Sequence, residues 1–471
     1  MDNSRRNFIR NTSLVSLGFI GLNNYAANAA MNLFAGAEPG VGFGPLFYKE
    51  GDALSLPKGF TARIISNKGD LMNDGLLMPG MYDGMGSFSH AGKTILIRNH
   101  ENSPGADLLG PFGKGNELLH KINKDKIYDF GKGEDTCVGG TTTLVYNEKT
   151  QKVESQYLSL IGTVRNCAGG ITPWKSWITC EESSLKTGNE GSGLEKDHGF
   201  NFEVPATDKI GIADPHPIKA MGRFTHEAVT VQPKTGIVYQ TEDEGDSLFY
   251  RYLPNVYGKL HEGGKLQCLA IKEWESADTR NYEALTTERF PEKKSFEVRW
   301  IDLDDVEAPD GDLRLRGFKL GAARFSRGEG IWYGKNELFF ACTDGGKSRN
   351  GQIFKYTPSK FEGQPGEKDA PATLELFLEP NNIETFQNCD NLTIAPWGDV
   401  IICEDKKDPR IIGITPQGKT YVIAKNIGYR SSEFAGPVFS PSGNTLFINI
   451  QSPGLTLAIT GPWKNVKNSK V

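Results

Sequence analysis

Long apolar runs, basic blocks and closely paired cysteines are all missing from this chain of 471 residues. Without a stretch approaching the roughly 20 apolar residues that a spanning helix needs, no segment of the mature chain is expected to cross a bilayer. Lys and Arg total 53 against 58 Asp and Glu, giving a formal charge of −5 without any basic cluster. That balance excludes the dense positive field of a nucleic-acid-binding protein. Seven cysteines stand without CxxC spacing, which excludes a zinc ribbon and a dithiol redox motif. Walker loop, dinucleotide fingerprint, GxSxG elbow and zinc-protease helix are absent as well.

What is abundant is turn material. With 55 Gly, 25 Pro and 38% hydrophobic residues, the composition predicts many short strands joined by tight turns. The N-terminus reads Ser4-Arg5-Arg6-Asn7-Phe8-Ile9-Arg10, continues into an apolar stretch from Leu14 to Leu22, and reaches Ala27-Asn28-Ala29. This is the pattern of a twin-arginine export signal over residues 1–29, followed by one domain over 30–471. An anchoring helix is the competing reading, and the apolar run is too short for it. Removing the signal takes away Arg5, Arg6, Arg10 and Asp2, which moves the formal charge from −5 to −7. In an exported protein the odd cysteine count leaves at least one thiol free, intermolecular or metal-bound.

A unit recurs six times: an apolar strand, a turn, a second apolar strand, then polar residues. The turns are Ala91-Gly92-Lys93, Pro173-Trp174-Lys175, Pro233-Lys234-Thr235, Tyr333-Gly334-Lys335, Pro396-Trp397-Gly398 and Pro441-Ser442-Gly443. The second strands run out at Glu101, Glu181-Glu182, Glu242-Asp243, Asp344, Glu404-Asp405 and Gln451. Hairpins spaced unevenly in this way predict an all-β, six-bladed β-propeller with inserted loops and short helices. A β-sandwich is the alternative.

Each first strand opens near a marked residue: Asp83, Cys167, Glu227, Glu329, Asp390 and, slightly offset, Glu433. In an antiparallel hairpin the start of one strand lies beside the end of the next, so the marked residues and the acidic ends are expected to ring one channel mouth. The expected ring holds Glu101, Glu181, Glu182, Glu227, Glu242, Asp243, Glu329, Asp390, Glu404, Asp405 and Glu433. So many carboxylates need protons or cations, and oxygen-rich sites suit hard ions such as Ca²⁺ and Fe³⁺. Solvated loop charges are the competing reading. Cys167 adds a softer donor. Arginines precede the ring glutamates at Arg223, Arg324, Arg327 and Arg430; Arg327 stands two before Glu329, hence on the same strand face. A forked cation beside metals suits a phosphoryl group, with Arg327 and Arg223 as candidates and structural ion pairs as the alternative. His226 and Glu227 face opposite sides, and Glu227 is the one expected in the channel.

Taken together, Asn166-Cys167-Ala168-Gly169-Gly170, Thr179-Cys180-Glu181-Glu182, Gly222-Arg223-Phe224-Thr225-His226-Glu227, Arg327-Gly328-Glu329-Gly330, Asp390-Asn391-Leu392 and Glu433-Phe434-Ala435-Gly436 resemble the PhoX family of alkaline phosphatases. The resemblance implies an exported phosphoric ester hydrolase that releases phosphate through a metal-activated oxygen at a mixed Fe³⁺/Ca²⁺ cluster. It implies that Cys167 bridges the irons, Glu227 and Glu329 bind metal, and Arg327 holds the substrate phosphate. Phosphomonoesters are the expected substrates, with phosphodiesters as a second class; the protein is expected as a periplasmic or secreted monomer handled by the twin-arginine machinery. The rivals are a calcium-dependent propeller lactonase and a non-catalytic propeller braced by calcium. The export signal predicts recovery of the mature protein outside the cytoplasm, and cell fractionation that finds it only inside would refute that reading.

Overall fold

Alternating apolar strands and Gly/Pro turns fold almost entirely into antiparallel sheet in the computed structural model, which describes residues 40–105, 110–133, 136–188 and 193–467. The segment expected to be an export signal lies outside the described residues. Among those described are 26 strands and a single α-helix, Leu313–Lys319.

The six hairpins form where expected. Their first strands are Tyr82–His90, Asn166–Ile171, His226–Val231, Gly328–Tyr333, Cys389–Ile394 and Phe434–Phe439. Each pairs antiparallel with its successor: Lys93–His100, Ser176–Glu181, Val238–Glu242, Leu338–Cys342, Val400–Glu404 and Thr445–Ile450. The first hairpin closes over Ala91-Gly92, both at positive φ (48° and 78°), as a two-residue turn between twisted strands requires.

The first strands pack side by side in a closed circuit in chain order, the sixth returning to the first, so the arrangement is propeller-like. Backbone contact holds this circuit. A Cβ added to Gly84 would lie 2.5 Å from the Cα of Ala168, and one added to Gly330 would lie 2.6 Å from the amide nitrogen of Leu392. Among the described residues the sheets number five rather than six separate ones. The third and fourth hairpins share a nine-stranded sheet, because Ser295–Asp302 pairs on one side with Gly264–Ile271 and on the other with Thr373–Leu378. The N-terminal strands close the assembly: Thr61–Asn67 adds to Leu455–Thr460, and Leu54–Pro57 adds to Thr420–Asn426. Closure of this kind removes the exposed edges that an open sheet would leave.

One irregularity recurs in every hairpin. The register shifts between Tyr82 and Met85, Asn166 and Gly169, His226 and Val229, Gly328 and Ile331, and Cys389 and Leu392. In the sixth hairpin it falls between Ala435 and Val438. A bulge bends its strand and re-aims the side chain beside it, and here that side chain is Asp83, Cys167, Glu227, Glu329 or Asp390.

Removing the close approach should show directly in stability. Gly330→Ala forces a methyl against backbone rather than against a yielding side chain, and overpacking of this kind costs about 1–3 kcal/mol. Urea denaturation should show a lowered midpoint at unchanged slope; an unchanged midpoint would mean that the inner strands separate freely.

Candidate metal centre

The bulges bring one end of all six hairpins to a common mouth. There the amides of Glu101, Glu182, Asp243, Thr343, Asp405 and Gln451 donate to the carbonyls of Met81, Arg165, Thr225, Arg327, Asn388 and Glu433, in that order. This shared bond fixes equivalent positions. Glu433 stands level with Arg165 and Arg327, while Ala435 occupies the place of Cys167 and Glu329, which explains the offset of Glu433 in the sequence. Met81, Arg165, Arg327 and Asn388 all take positive φ, between 47° and 52°. That backbone disfavours side chains by roughly 1–2 kcal/mol per residue, so the turn into each bulge is held by its surroundings.

Nine carboxylates interact around the mouth: Asp83, Glu101, Glu182, Glu227, Asp243, Glu329, Asp390, Asp405 and Glu433. Donor atoms of Cys167, Glu182 and Glu227 lie within 4.8 Å of one another, as do those of Glu227, Glu329 and Asp390. Glu227 belongs to both groups. The Cys167 sulfur sits 3.4 Å from the carbonyl oxygens of both His226 and Glu227. Amide side chains steady the rim: Gln451 Nε2 donates to Asp83 and to Glu101, each at 2.9 Å, and Asn391 Nδ2 donates to Asp390 at 2.9 Å.

Two arginines enter this acid field. Arg327 grips Asp243 with Nε at 2.8 Å and Nη2 at 2.9 Å, and Nη2 also reaches Glu329 at 3.0 Å. Arg165 reaches Glu101 at 2.8 Å and pairs closely with Glu182. Both side chains stay partly open, at 38% and 40% exposure, amid buried acids. Sequence reasoning missed Arg165. The signal was present: Arg165 stands two residues before Cys167, as Arg327 does before Glu329.

Several expected ring members lie elsewhere. Strand alternation sends the first residue of each acidic pair behind the rim. Glu181 accepts from the amides of Val164, Gly199 and Phe200 and bonds His198 at 2.6 Å. Glu242 accepts from the Leu248 amide and the Tyr250 hydroxyl, and Glu404 from Arg410 and the Gln387 amide. Arg223 donates to the carbonyls of Ser184, Leu185 and Ala308, and Arg430 pairs with Asp408. Asp344 is held by Arg349 and Ser326. Glu182, Asp243 and Asp405 are the pair members that face the mouth. The His226 ring faces Asn201 and the Gly222 carbonyl, leaving Glu227 in the channel as expected.

Two like charges 4 Å apart repel by about 4 kcal/mol at an effective dielectric constant of 20, so the mouth cannot hold nine bare anions against two guanidinium groups. Burial and neighbouring carboxylates drive Asp83, Glu227, Glu329 and Glu433 well above the usual carboxyl range. Burial and Asp405 push Asp390 up to about 7; burial and Glu101 push Glu182 up to about 8 despite Arg165. The Cys167 thiol is likewise raised, by burial and then by Glu227 and Glu182. Bound cations relieve all of these at once, and the mixed set of oxygens and one sulfur fits them.

Family comparison matches residues 41–454 to the family described as alkaline phosphatase PhoX. No curated protein matches the chain. Pseudomonas fluorescens PhoX, solved in complex with vanadate, a transition state analogue, superposes with a TM-score of 0.64 at 16% identity, covering 90% of this chain and 98% of that one. That likeness establishes a shared fold. A gluconolactonase from Xanthomonas campestris aligns at a TM-score of 0.37 and 10% identity over 88% and 99% of the two chains. A luciferin-regenerating enzyme aligns at 0.39 and 10% over 87% and 97%.

A carboxyl whose pKa is higher folded than unfolded holds its proton more tightly in the folded chain. Its contribution to stability is complete below the unfolded value near 4 and is lost as pH rises through the folded value. With Asp390 at about 7 and Glu182 at about 8, metal-free protein should lose stability as pH rises from roughly 4 to 8. Melting temperatures of chelator-treated protein should fall across that window, and those of metal-loaded protein should hold; parallel curves would sink the cation requirement.

Proposed function

The chain belongs to the PhoX family of alkaline phosphatases, which are metal-dependent phosphoric ester hydrolases, and we propose that it is an exported six-bladed propeller that hydrolyses phosphate esters at the acidic mouth. The observation that carries this reading is the pairing of overlapping metal-ligand groups with two partly open arginines. Cys167, Glu182 and Glu227 would hold one ion, and Glu227, Glu329 and Asp390 a second, with Glu227 shared. Asp83, Glu101, Asp405 and Glu433 are all-oxygen donors suited to harder ions. Thiolate among carboxylates suits a transition metal and the oxygen-only remainder suits calcium; the choice of Fe³⁺ as that transition metal rests on the family resemblance. When bound, these ions supply Lewis-acid charge to a phosphoryl group.

The chain's own contribution is positioning and preorganised charge. Asp243 grips one edge of Arg327, which sets the guanidinium plane before substrate arrives. Nη1 of Arg327 has no protein hydrogen bond among the described residues and is available to a phosphate oxygen, as is Nη1 of Arg165. Two guanidinium forks on different hairpins suit a tetrahedral anion, which can be gripped from two sides as its equatorial oxygens gain charge. The substrates are phosphomonoesters first and phosphodiesters second, and the protein acts as a periplasmic or secreted monomer carried by the twin-arginine machinery. No helix among the described residues is long and apolar enough to cross a membrane.

Elemental analysis paired with p-nitrophenyl phosphate turnover tests this assignment. Iron with calcium, and turnover abolished by chelation, are the expected results. Calcium alone without turnover would instead favour the braced propeller, and lactone hydrolysis without phosphate release the lactonase. Arg327→Ala should lower kcat/KM by about 100-fold or more, in the range seen when one transition-state charge donor is removed. Arg165→Ala should fall in the same direction, while circular dichroism stays unchanged.

A further inference from the structure

Behind the acidic mouth lies a second cluster that the phosphatase site does not use. Between His100 and Gly139 the described residues carry no strand and only short 3-10 turns, an unusual length of irregular chain within a compact fold. It contributes Asp129 and Cys137; the loop after the second hairpin contributes His198. All three side chains are fully buried. Their donor atoms lie within 4.8 Å of one another. Val164, Leu185 and Leu194 pack around Cys137 and enclose the cluster in apolar surface.

We propose that Asp129, Cys137 and His198 form a structural binding site for a zinc-class divalent ion. The two faces of the imidazole distinguish this from a plain ion-pair network. Nδ1 closes on Glu181 at 2.6 Å, whereas Nε2 stands 3.4 Å from Asp129 Oδ2 and 4.0 Å from the Cys137 sulfur. A buried charge-assisted bond is expected at about 2.7–2.9 Å. Tetrahedral zinc, with bonds of about 2.0–2.1 Å to nitrogen and 2.3 Å to sulfur, separates its nitrogen and oxygen ligands by roughly 3.3 Å and its nitrogen and sulfur ligands by roughly 3.6 Å. The nitrogen–oxygen gap matches an ion's ligand shell better than direct contact, and the nitrogen–sulfur gap is somewhat wider than that shell. Glu181 also stands where the outer partner of a metal-bound histidine belongs, fixing the tautomer that offers Nε2 to the ion. Asp129 is itself oriented by amides: those of Glu195 and Lys196 donate to Oδ2 at 2.9 Å, and that of Gly131 to Oδ1 at 2.8 Å. Full burial excludes the same triad as a nucleophilic site, because no substrate reaches the sulfur.

The ion would cross-link two long loops at a point that also supports the mouth. Glu181 accepts from the Val164 amide, one residue before Arg165, so His198, Glu181 and Val164 connect the metal to the rim. This site stands apart from the phosphatase assignment and is tested without it.

Zinc content by mass spectrometry, measured on full-length protein purified after exposure to micromolar zinc, gives the first reading. Cys137→Ser and His198→Gln should each lower zinc by one equivalent per chain. Glu227→Gln should leave that equivalent in place. Wild-type protein without zinc, or Cys137→Ser with undiminished zinc, overturns the proposal. Should Cys137→Ser fail to fold, cobalt substitution in a Cys167→Ser background serves instead. A thiolate-to-cobalt charge-transfer band is expected there, and its absence overturns the site.

Discussion

Mutual repulsion among buried carboxylates is the constraint around which this protein is organised. Nine acidic side chains converge on one mouth with two arginines among them, and most have little access to water. Water therefore cannot screen them, and the surrounding groups are arranged to hold them in spite of their charge. Gln451 spans Asp83 and Glu101, Asn391 steadies Asp390, and Arg327 ties Asp243 to Glu329. Such an arrangement is costly as a bare fold and favourable around cations, which couples metal loading to stability.

Backbone geometry makes the convergence possible. Six bulges at equivalent places bend the inner strands toward the mouth, and four of the residues entering them, Met81, Arg165, Arg327 and Asn388, adopt left-handed backbone without being glycine. Glycines on the inner strands then let neighbouring backbones approach until no Cβ fits between them. Strand pairing at both ends of the chain holds the circuit shut against the repulsion it encloses.

The same chemistry serves opposite ends across a single peptide bond. Glu182 faces the mouth, whereas Glu181 anchors the loop at residues 198–200; Asp405 faces the mouth, whereas Glu404 clamps Arg410. The inward members stand among like charges, Glu182 beside Glu101 and Asp405 beside Asp390 and Glu433. The outward members are satisfied by amides, hydroxyls, a histidine or an arginine from this chain, and so act as fixed supports for the loops that carry the rim.

Strand hairpins, their six repeats and the marked positions were legible in the sequence, because period-two patterning and turn residues are local properties. Family resemblance likewise followed from short contiguous motifs around Cys167, Glu227 and Arg327. The selection of ligands was not local. Composition alone treated Glu181 with Glu182 and Glu404 with Asp405 as equals, although strand alternation already distinguishes them, and the choice of inward member required the bulge register. Arg223 looked like Arg327 in the sequence, yet a loop from residues 184–185 captured its guanidinium. Arg165 went unnoticed because its partner Glu101 is 64 residues away and meets it only when the first and second hairpins lie side by side. The cluster of Asp129, Cys137 and His198 had no sequence signature at all, since its donors come from two separate loops. The chain by itself therefore determined strands, turns, an acid-rich surface and a family. Tertiary closure decided which acids share one mouth, because charge interaction depends on distance through space and not on separation along the chain.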